Sequence, residues 1–180
     1  GWWLAPLMAA SIASGILYTA GPRPLGYMGL GDLFVLVFFG PVAVAGTYYV
    51  QTLRLSEAAL VAGLAPGLLS VAILVVNNLR DIEGDARSGK RTLAVRFGPT
   101  FARWEYTFCL VGAALVPLLM VRWYGAPPNA AVCALVLLAG LSALRTVWIA
   151  REPVLLNNLL AYTALLLIVF AALFSVGYVM

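Results

Sequence analysis

The sequence has no histidine, only two cysteines, and few charged side chains, with Asp, Glu, Lys and Arg making up 10% of 180 residues. Cys109 and Cys133 each lie inside an apolar run. The common zinc and haem sites need histidine or clustered cysteine, so the composition excludes them and leaves oxygen as the only metal ligand. Oxygen ligands favour hard cations such as Mg²⁺, which also bind substrate phosphates.

Hydrophobic residues make up 63% of the chain, and its mean hydropathy is +0.99. Several apolar runs approach the roughly 20 residues that a helix needs to cross a bilayer. Bilayer hydrocarbon offers no partner to a free backbone amide, so segments that cross it must be helical. We therefore predict an all-α integral membrane bundle, one domain over residues 1–180 and not a soluble globule. The predicted spans are 2–19, 33–51, 58–78, 104–121, 130–149 and 156–178.

The basic residues are distributed unequally between the two sides of this predicted bundle. Only Arg54 and Arg122, of eleven Lys and Arg residues, lie on one side. The other nine are Arg23, Arg80, Arg87, Lys90, Arg91, Arg96, Arg103, Arg145 and Arg151. The positive-inside rule makes their side cytoplasmic.

This orientation explains the net charge of +4 without nucleic acid, so we expect membrane lipid, and no nucleic acid, as a partner. It also puts both chain ends on the outer face. Because the chain opens directly into the apolar run "GWWLAPLM", we expect upstream sequence that returns the N-terminus to the cytoplasm.

One stretch, "NNLRDIEGDARSGKRT" at residues 77–92, concentrates the charges. If the third span continues through it as a helix, Asp81 and Asp85 share a face, with Asn77 and Asn78 one turn earlier. Two carboxylates on one face repel unless a cation lies between them, so the spacing predicts Mg²⁺ bound by Asp81 and Asp85 with an asparagine oxygen. The surrounding cations, which are Arg80, Arg87, Lys90 and Arg91, predict an anion such as a diphosphate.

Two other interpretations of this stretch are solvated ion pairs in a loop and a nucleotide phosphate-binding loop. The charges form ordinary solvated pairs in many loops, but membrane orientation requires only Lys and Arg, which leaves the interleaved acids unexplained. "GDARSGKR" is close to a phosphate-binding loop, yet Arg91 replaces the required hydroxyl and a helix, not a strand, precedes it. We expect Gly89 to end the helix in a left-handed cap, with Lys90 beside the last carbonyls.

A second segment on the same side, "YTAGPRPLGYMGLGD" at residues 18–32, is rich in Gly and Pro and predicts an irregular loop. This loop is in a position to bring Tyr18 and Arg23 over the same cavity as the Asp pair. Within the spans, Pro41, Pro66 and Pro117 each remove a backbone hydrogen bond and favour a kink.

Together, "NNLRDIEGDARSGKRTLAVRFG" and the Gly/Pro-rich loop resemble the naphthoate branch of the UbiA superfamily of intramembrane aromatic prenyltransferases. The resemblance implies about nine helices around a membrane cavity with two Asp-rich motifs. Asp81 and Asp85 match the second motif, while Tyr18 and Arg23 match a tyrosine and a basic residue of the family's loop. The first motif has no counterpart in this sequence, so the resemblance also implies missing N-terminal helices and puts the activity of these residues alone in doubt.

By this resemblance the protein transfers a polyprenyl group from polyprenyl diphosphate to 1,4-dihydroxy-2-naphthoate, with loss of CO₂ and diphosphate, in menaquinone synthesis. Mg²⁺ is its implied cofactor, with Asp81 and Asp85 as ligands. The implied diphosphate-stabilising residues are Arg23, Lys90 and Arg91. Tyr18 is a further implied catalytic residue, and Asn77, Asn78 and Arg80 are implied to help bind the metal and the diphosphate.

Two classes of alternative remain. Other superfamily members use homogentisate, 4-hydroxybenzoate or a chlorophyll precursor, although the paired Asn77 and Asn78 and the "GKRTLAVR" continuation favour naphthoate. A transporter, or an assembly subunit whose loop binds lipid headgroups, is the non-enzymatic alternative. A transport path needs ionisable residues near mid-membrane. Arg145, the deepest candidate by sequence, lies near a span end and can extend to the interface.

Overall fold

The computed structural model of the chain describes residues 2, 4–19 and 24–180, and gives only the backbone at Leu4, Leu7, Tyr18, Thr19 and Leu137. This part of the chain is helical, with no strand. The α-helices are α1 (Leu4–Thr19), α2 (Gly31–Phe39), α3 (Pro41–Thr52), α4 (Glu57–Arg80), α5 (Ile82–Arg87), α6 (Leu93–Trp123), α7 (Val136–Ile149) and α8 (Pro153–Val179). Two 3₁₀ segments, Leu25–Tyr27 and Pro128–Leu135, precede α2 and α7.

Five helical segments are long and apolar enough to cross a membrane: Gly31–Thr52, Glu57–Arg80, Leu93–Trp123, Pro128–Ile149 and Pro153–Val179. They correspond to the last five predicted spans. The span predicted at 104–121 is longer in the structure, because its helix already begins at Leu93. The first predicted span is α1, a 16-residue helix whose apolar part, Met8–Leu17, is shorter than the other five. The predicted class, an all-α integral membrane bundle, is confirmed.

Helix α4 lies at the centre of the bundle and packs against α2, α3, α6 and α8. Its inward face carries Leu69, Val75 and Val76, each no more than 1% exposed. Between α6 and α8, the hydroxyls of Tyr106 and Thr163 lie 2.8 Å apart in the buried core. Such an interhelical hydrogen bond satisfies polar groups that lipid and apolar side chains cannot. The core thereby fixes α8 next to the last turn of α4.

Small residues allow α2 and α3 to lie directly on α4. The span Gly31–Thr52 breaks at Gly40, where neither α2 nor α3 includes the residue. A Cβ added to Gly63 would lie 2.7 Å from the Cα of Pro41, and one added to Gly67 would lie 2.7 Å from the Leu36 carbonyl oxygen. The backbones approach closely only because these positions lack side chains.

The three prolines differ in their effects. Pro41 is the first residue of α3 and follows the break at Gly40, so the kink predicted there is confirmed. Helices α4 and α6 continue through Pro66 and Pro117. Helix α6 bends at Gly98, whose φ of 84° and ψ of 173° leave the helical region. Glycine adopts this conformation without the Cβ clash that other residues meet.

Candidate functional site

The charged stretch lies where α4 gives way to α5. Arg80 ends α4, Asp81 stands between the helices, and α5 begins at Ile82. The Asp81 N–H donates to the Asn77 carbonyl at 3.0 Å, and the Asp85 N–H donates to the Asp81 carbonyl at 2.8 Å. The i to i+4 pattern therefore continues through the junction, and the predicted one-turn separation of the two carboxyl residues is confirmed.

Asp81 forms a forked ion pair with its neighbour Arg80. The Arg80 Nε and Nη2 atoms donate to the Asp81 Oδ1 and Oδ2 atoms at 2.8 and 2.7 Å. The Asp81 side chain is still 40% exposed. The hydrogen bonds from Arg80 lower the pKa of Asp81 below its ordinary value, because a donor to the carboxylate favours the charged form. Asp81 is thus an ionised carboxylate with one side open.

Asp85 has a different partner and is more enclosed. Its side chain is 12% exposed, and Lys90 Nζ lies 3.2 and 3.1 Å from Oδ1 and Oδ2. The chain turns back through Gly89, whose φ is 77°, so that the Lys90 N–H donates to the Asp85 carbonyl at 2.9 Å. The predicted left-handed end of the helix at Gly89 is confirmed. This turn brings Lys90 onto Asp85 by both its backbone and its side chain.

The two asparagines occupy different environments. Asn77 is partly exposed, and its Oδ1 accepts a hydrogen bond of 2.8 Å from Arg80 Nη2. Asn78 is buried, with 5% exposure. Asn77 therefore joins the network around Asp81, whereas Asn78 lies in the interior of the bundle.

Part of the Gly/Pro-rich loop packs on the segment that follows the charged stretch. The Tyr27 carbonyl accepts from the Arg91 N–H at 2.9 Å, and the Met28 carbonyl accepts from Arg96 Nη2 at 2.7 Å. At Gly29 the backbone has a φ of 72°, and an added Cβ would lie 2.7 Å from the Arg91 carbonyl oxygen. The described end of this loop thus lies beside the charged stretch.

Tyr18 and Arg23 are the two loop residues predicted for the site. The side chain of Tyr18 and the whole of Arg23 lie outside the described residues. Of the remaining predicted cations, Arg91 has an exposed side chain, while Arg87 is exposed and its Nε donates to the Glu83 carbonyl at 3.3 Å. Arg91 is therefore free to face a ligand from the solvent side.

The structure adds residues that the sequence did not single out. Asn157 of α8 accepts a 2.9 Å hydrogen bond from Arg80 Nη1 across 77 positions of sequence. Asp32 and Glu105 are acids inside span helices. Asp32 is 7% exposed, and its Oδ1 has no partner among the described residues. For Asn157, the sequence offers one local signal, which is the polar pair Asn157 and Asn158 at the start of an apolar run.

The oxygen donors present fit Mg²⁺ in a specific way. In the described part of the chain, no three acidic or cysteine side chains lie together as a complete metal cage. Mg²⁺ commonly binds through one or two carboxylates and completes its shell with water and substrate phosphates. Asp81 and Asp85 are two carboxylates one turn apart, which is the donor chemistry of such a partial shell, and each is paired here with a cation, Arg80 or Lys90.

Comparisons with known proteins identify the family of the chain. The UbiA prenyltransferase family matches residues 1–167. The chain is 40% identical over 178 residues to a 1,4-dihydroxy-2-naphthoate octaprenyltransferase of Haemophilus influenzae, covering 96% of this chain and 56% of that protein. Proteins with the same description from Mycobacterium tuberculosis and Escherichia coli are 48% and 47% identical, over 66% and 63% of this chain and 41% and 37% of theirs.

The chain thus spans 37–56% of the length of these relatives. The family match nevertheless includes both the charged stretch and the Gly/Pro-rich loop, and leaves out residues 168–180 at the C-terminal end. This integral membrane protein belongs to the UbiA prenyltransferase family.

Proposed function

We propose that the protein transfers a polyprenyl group from polyprenyl diphosphate to 1,4-dihydroxy-2-naphthoate. The products are CO₂, diphosphate and demethylmenaquinol, an intermediate of menaquinone synthesis. Relatives described as 1,4-dihydroxy-2-naphthoate octaprenyltransferases, 40–48% identical to this chain, support this substrate. The structural observation that carries the proposal is the pair of carboxylates, Asp81 and Asp85, one helical turn apart beside basic side chains at one end of an apolar bundle.

In this proposal Asp81 and Asp85 are the Mg²⁺ ligands on this chain, with Asn77 close to the same shell. When bound, Mg²⁺ supplies positive charge that stabilises the diphosphate as its bond to the prenyl carbon weakens. Lys90 and Arg91, together with Arg23, bind the diphosphate oxygens through charge-assisted hydrogen bonds. These donors act where negative charge develops, which is how preorganised groups lower a barrier.

The bond changes balance without a further reactant. The carbon–oxygen bond of the donor breaks, and the electron pair leaves with the diphosphate to give an allylic cation. The electron-rich naphthoate ring attacks that cation, and loss of the carboxylate as CO₂ restores the aromatic ring. The apolar helices exclude water, which would otherwise capture the cation.

The membrane setting fits a substrate with two unlike ends. A long isoprenoid tail dissolves beside apolar span helices, whereas its diphosphate requires charged partners at the membrane edge. We further propose that this edge faces the cytoplasm of a bacterial inner or plasma membrane, since nine of eleven basic residues belong to that side.

An acceptor panel tests the substrate. Membranes containing the protein at its full native length are incubated with Mg²⁺, a polyprenyl diphosphate and one acceptor: 1,4-dihydroxy-2-naphthoate, homogentisate or 4-hydroxybenzoate. Mass spectrometry should detect a prenylated product with the naphthoate alone. Product from another acceptor in its place would refute the proposed substrate while preserving the reaction type, and no product from any acceptor would refute the enzyme proposal.

A further inference from the structure

Arg80 is bound on several sides by the protein itself. Four of its five N–H groups have acceptors: two on the Asp81 carboxylate, one on Asn77 Oδ1 and one on Asn157 Oδ1, all at 2.7–2.9 Å. Two of these four bonds, those to Asp81, form a fork from one edge of the planar guanidinium, which holds the carboxylate in a fixed direction. To bind a diphosphate in the same way, Arg80 must first release the carboxylate of Asp81.

Asn157 anchors this network from a different helix. It lies in the first turns of α8, which begins at Pro153. Its neighbours Leu156 and Leu159 are buried at 4% and 3% exposure, so α8 is held by the core on the other side. The bond from Asn157 to Arg80 therefore links the rigid start of α8 to the C-terminal end of α4.

Lys90 provides the contrast. Its ammonium contacts the two oxygens of Asp85 at 3.1 and 3.2 Å and is a single flexible point of charge. Arg80 instead aligns both oxygens of Asp81 through two different nitrogens at 2.8 and 2.7 Å. The two carboxylates thus pair with different kinds of cation. The Lys90 ammonium beside Asp85 can reorient, whereas the Arg80 guanidinium beside Asp81 is held by four hydrogen bonds.

We propose that Arg80 and Asn157 are positioning residues for Asp81: Asn157 fixes the guanidinium, and the guanidinium aims the Asp81 carboxylate at the Mg²⁺ site. This inference rests on the proposed function. It replaces the role in ligand binding that the sequence predicts for Arg80. Outer residues that orient a metal ligand typically change metal affinity by about 10- to 100-fold when altered.

Binding of Mn²⁺, a spectroscopic substitute for Mg²⁺, provides a readout independent of turnover. Mn²⁺ is titrated by electron paramagnetic resonance into the full-length protein in nanodiscs, without prenyl donor. Arg80→Lys keeps the positive charge but loses the fork, and Asn157→Leu loses the acceptor without changing any charge. Asn158→Leu is the matched control, because the adjacent Asn158 is exposed and is not among the acceptors of Arg80. Asp81→Asn removes a proposed metal ligand, so the Mn²⁺ signal that this variant loses is the signal of the proposed site.

We expect Mn²⁺ affinity to fall about tenfold in Arg80→Lys and about threefold in Asn157→Leu, with Asn158→Leu like wild type. The Mg²⁺ concentration for half-maximal activity should shift by the same factors, with little change in the donor KM. Loss of the signal in Asp81→Asn, with unchanged affinity in both Arg80→Lys and Asn157→Leu, overturns this inference alone. An Asp81→Asn protein that binds Mn²⁺ normally overturns the metal site of the proposed function as well.

The donor provides a second criterion. If Arg80→Lys weakens binding of polyprenyl diphosphate in the absence of metal while Asn157→Leu does not, Arg80 is a diphosphate ligand and the positioning role is wrong. Should Arg80→Lys fail to fold, the Asn157→Leu titration decides alone, because that change lies on the exposed side of α8.

Discussion

Lys90 contacts Asp85 through both its backbone and its side chain. Its N–H donates to the Asp85 carbonyl at 2.9 Å, and its Nζ lies 3.1 Å from the nearer carboxylate oxygen. The Lys90 side chain is 24% exposed, so its ammonium stands between a buried carboxylate and solvent. In the proposed function, Lys90 binds the donor diphosphate from this location.

Removal of this ammonium should weaken donor binding. We expect Lys90→Met to raise the KM for polyprenyl diphosphate by about tenfold or more, since a hydrogen bond to a charged group is worth about 1.5–3 kcal/mol. Arg87→Met is the matched control, because Arg87 lies in the same stretch and, among the described residues, its side chain hydrogen-bonds to the Glu83 carbonyl and pairs with neither Asp81 nor Asp85. Equal KM values for the two variants would remove Lys90 from the diphosphate site.

The turn that delivers Lys90 depends on Gly89. A Cβ at Gly89 would contact nothing within 4 Å, yet its φ of 77° is strained for other residues. Gly89→Ala should therefore cost about 1 kcal/mol of stability and reduce donor affinity by displacing Lys90. Gly84→Ala, inside α5 and equally uncrowded, should stabilise the helix or leave it unchanged. Thermal unfolding in detergent distinguishes the pair, and a stable Gly89→Ala with normal KM contradicts the role of the turn.

Close backbone packing between α3 and α4 makes a separate prediction. In Gly63→Ala the new Cβ would lie 2.7 Å from the Pro41 Cα, so α3 must move, and we expect a lower unfolding temperature. In Gly112→Ala the nearest atom is the Leu68 Cδ1, 3.1 Å away, at the tip of a flexible side chain. The second change should have little effect. Equal unfolding temperatures would show that α3 adapts freely.

Thiol labelling tests the orientation. Cys109 and Cys133 are buried, so a membrane-impermeant maleimide should react mainly with an introduced cysteine. We expect Arg87→Cys to be labelled in inverted vesicles and Arg122→Cys in right-side-out vesicles, since the two residues belong to opposite sides of the bundle. The reverse pattern would contradict a cytoplasmic site.

The elements that sequence predicted well depend on local chemistry. Five span helices follow from hydropathy alone, because a lipid-facing segment must be apolar along its whole length. The separation of Asp81 and Asp85 follows from helical periodicity, and the turn at Gly89 from the conformational freedom of glycine.

The elements that sequence missed depend on contacts between distant segments. Asn157 reaches Arg80 only because the core packs α8 beside α4, and no local pattern encodes that contact. Likewise, Arg96 donates a hydrogen bond to the Met28 carbonyl, 68 positions earlier in the sequence, because the loop folds against this segment. The bend of α6 at Gly98 was likewise not predicted, whereas the helix continues through Pro117, since a proline within a membrane helix need not interrupt it.

The most direct test of the central claim compares Asp81→Asn with Glu83→Gln in Mg²⁺-dependent prenyl transfer to 1,4-dihydroxy-2-naphthoate. Both changes neutralise an acid in the same stretch, but Glu83 is an exposed residue of α5 outside the proposed metal shell. Loss of about 3 kcal/mol of metal-assisted stabilisation corresponds to a rate roughly 100-fold lower in Asp81→Asn. We expect that loss together with near-normal turnover in Glu83→Gln, and an Asp81→Asn enzyme as active as Glu83→Gln would remove Asp81 from the metal site.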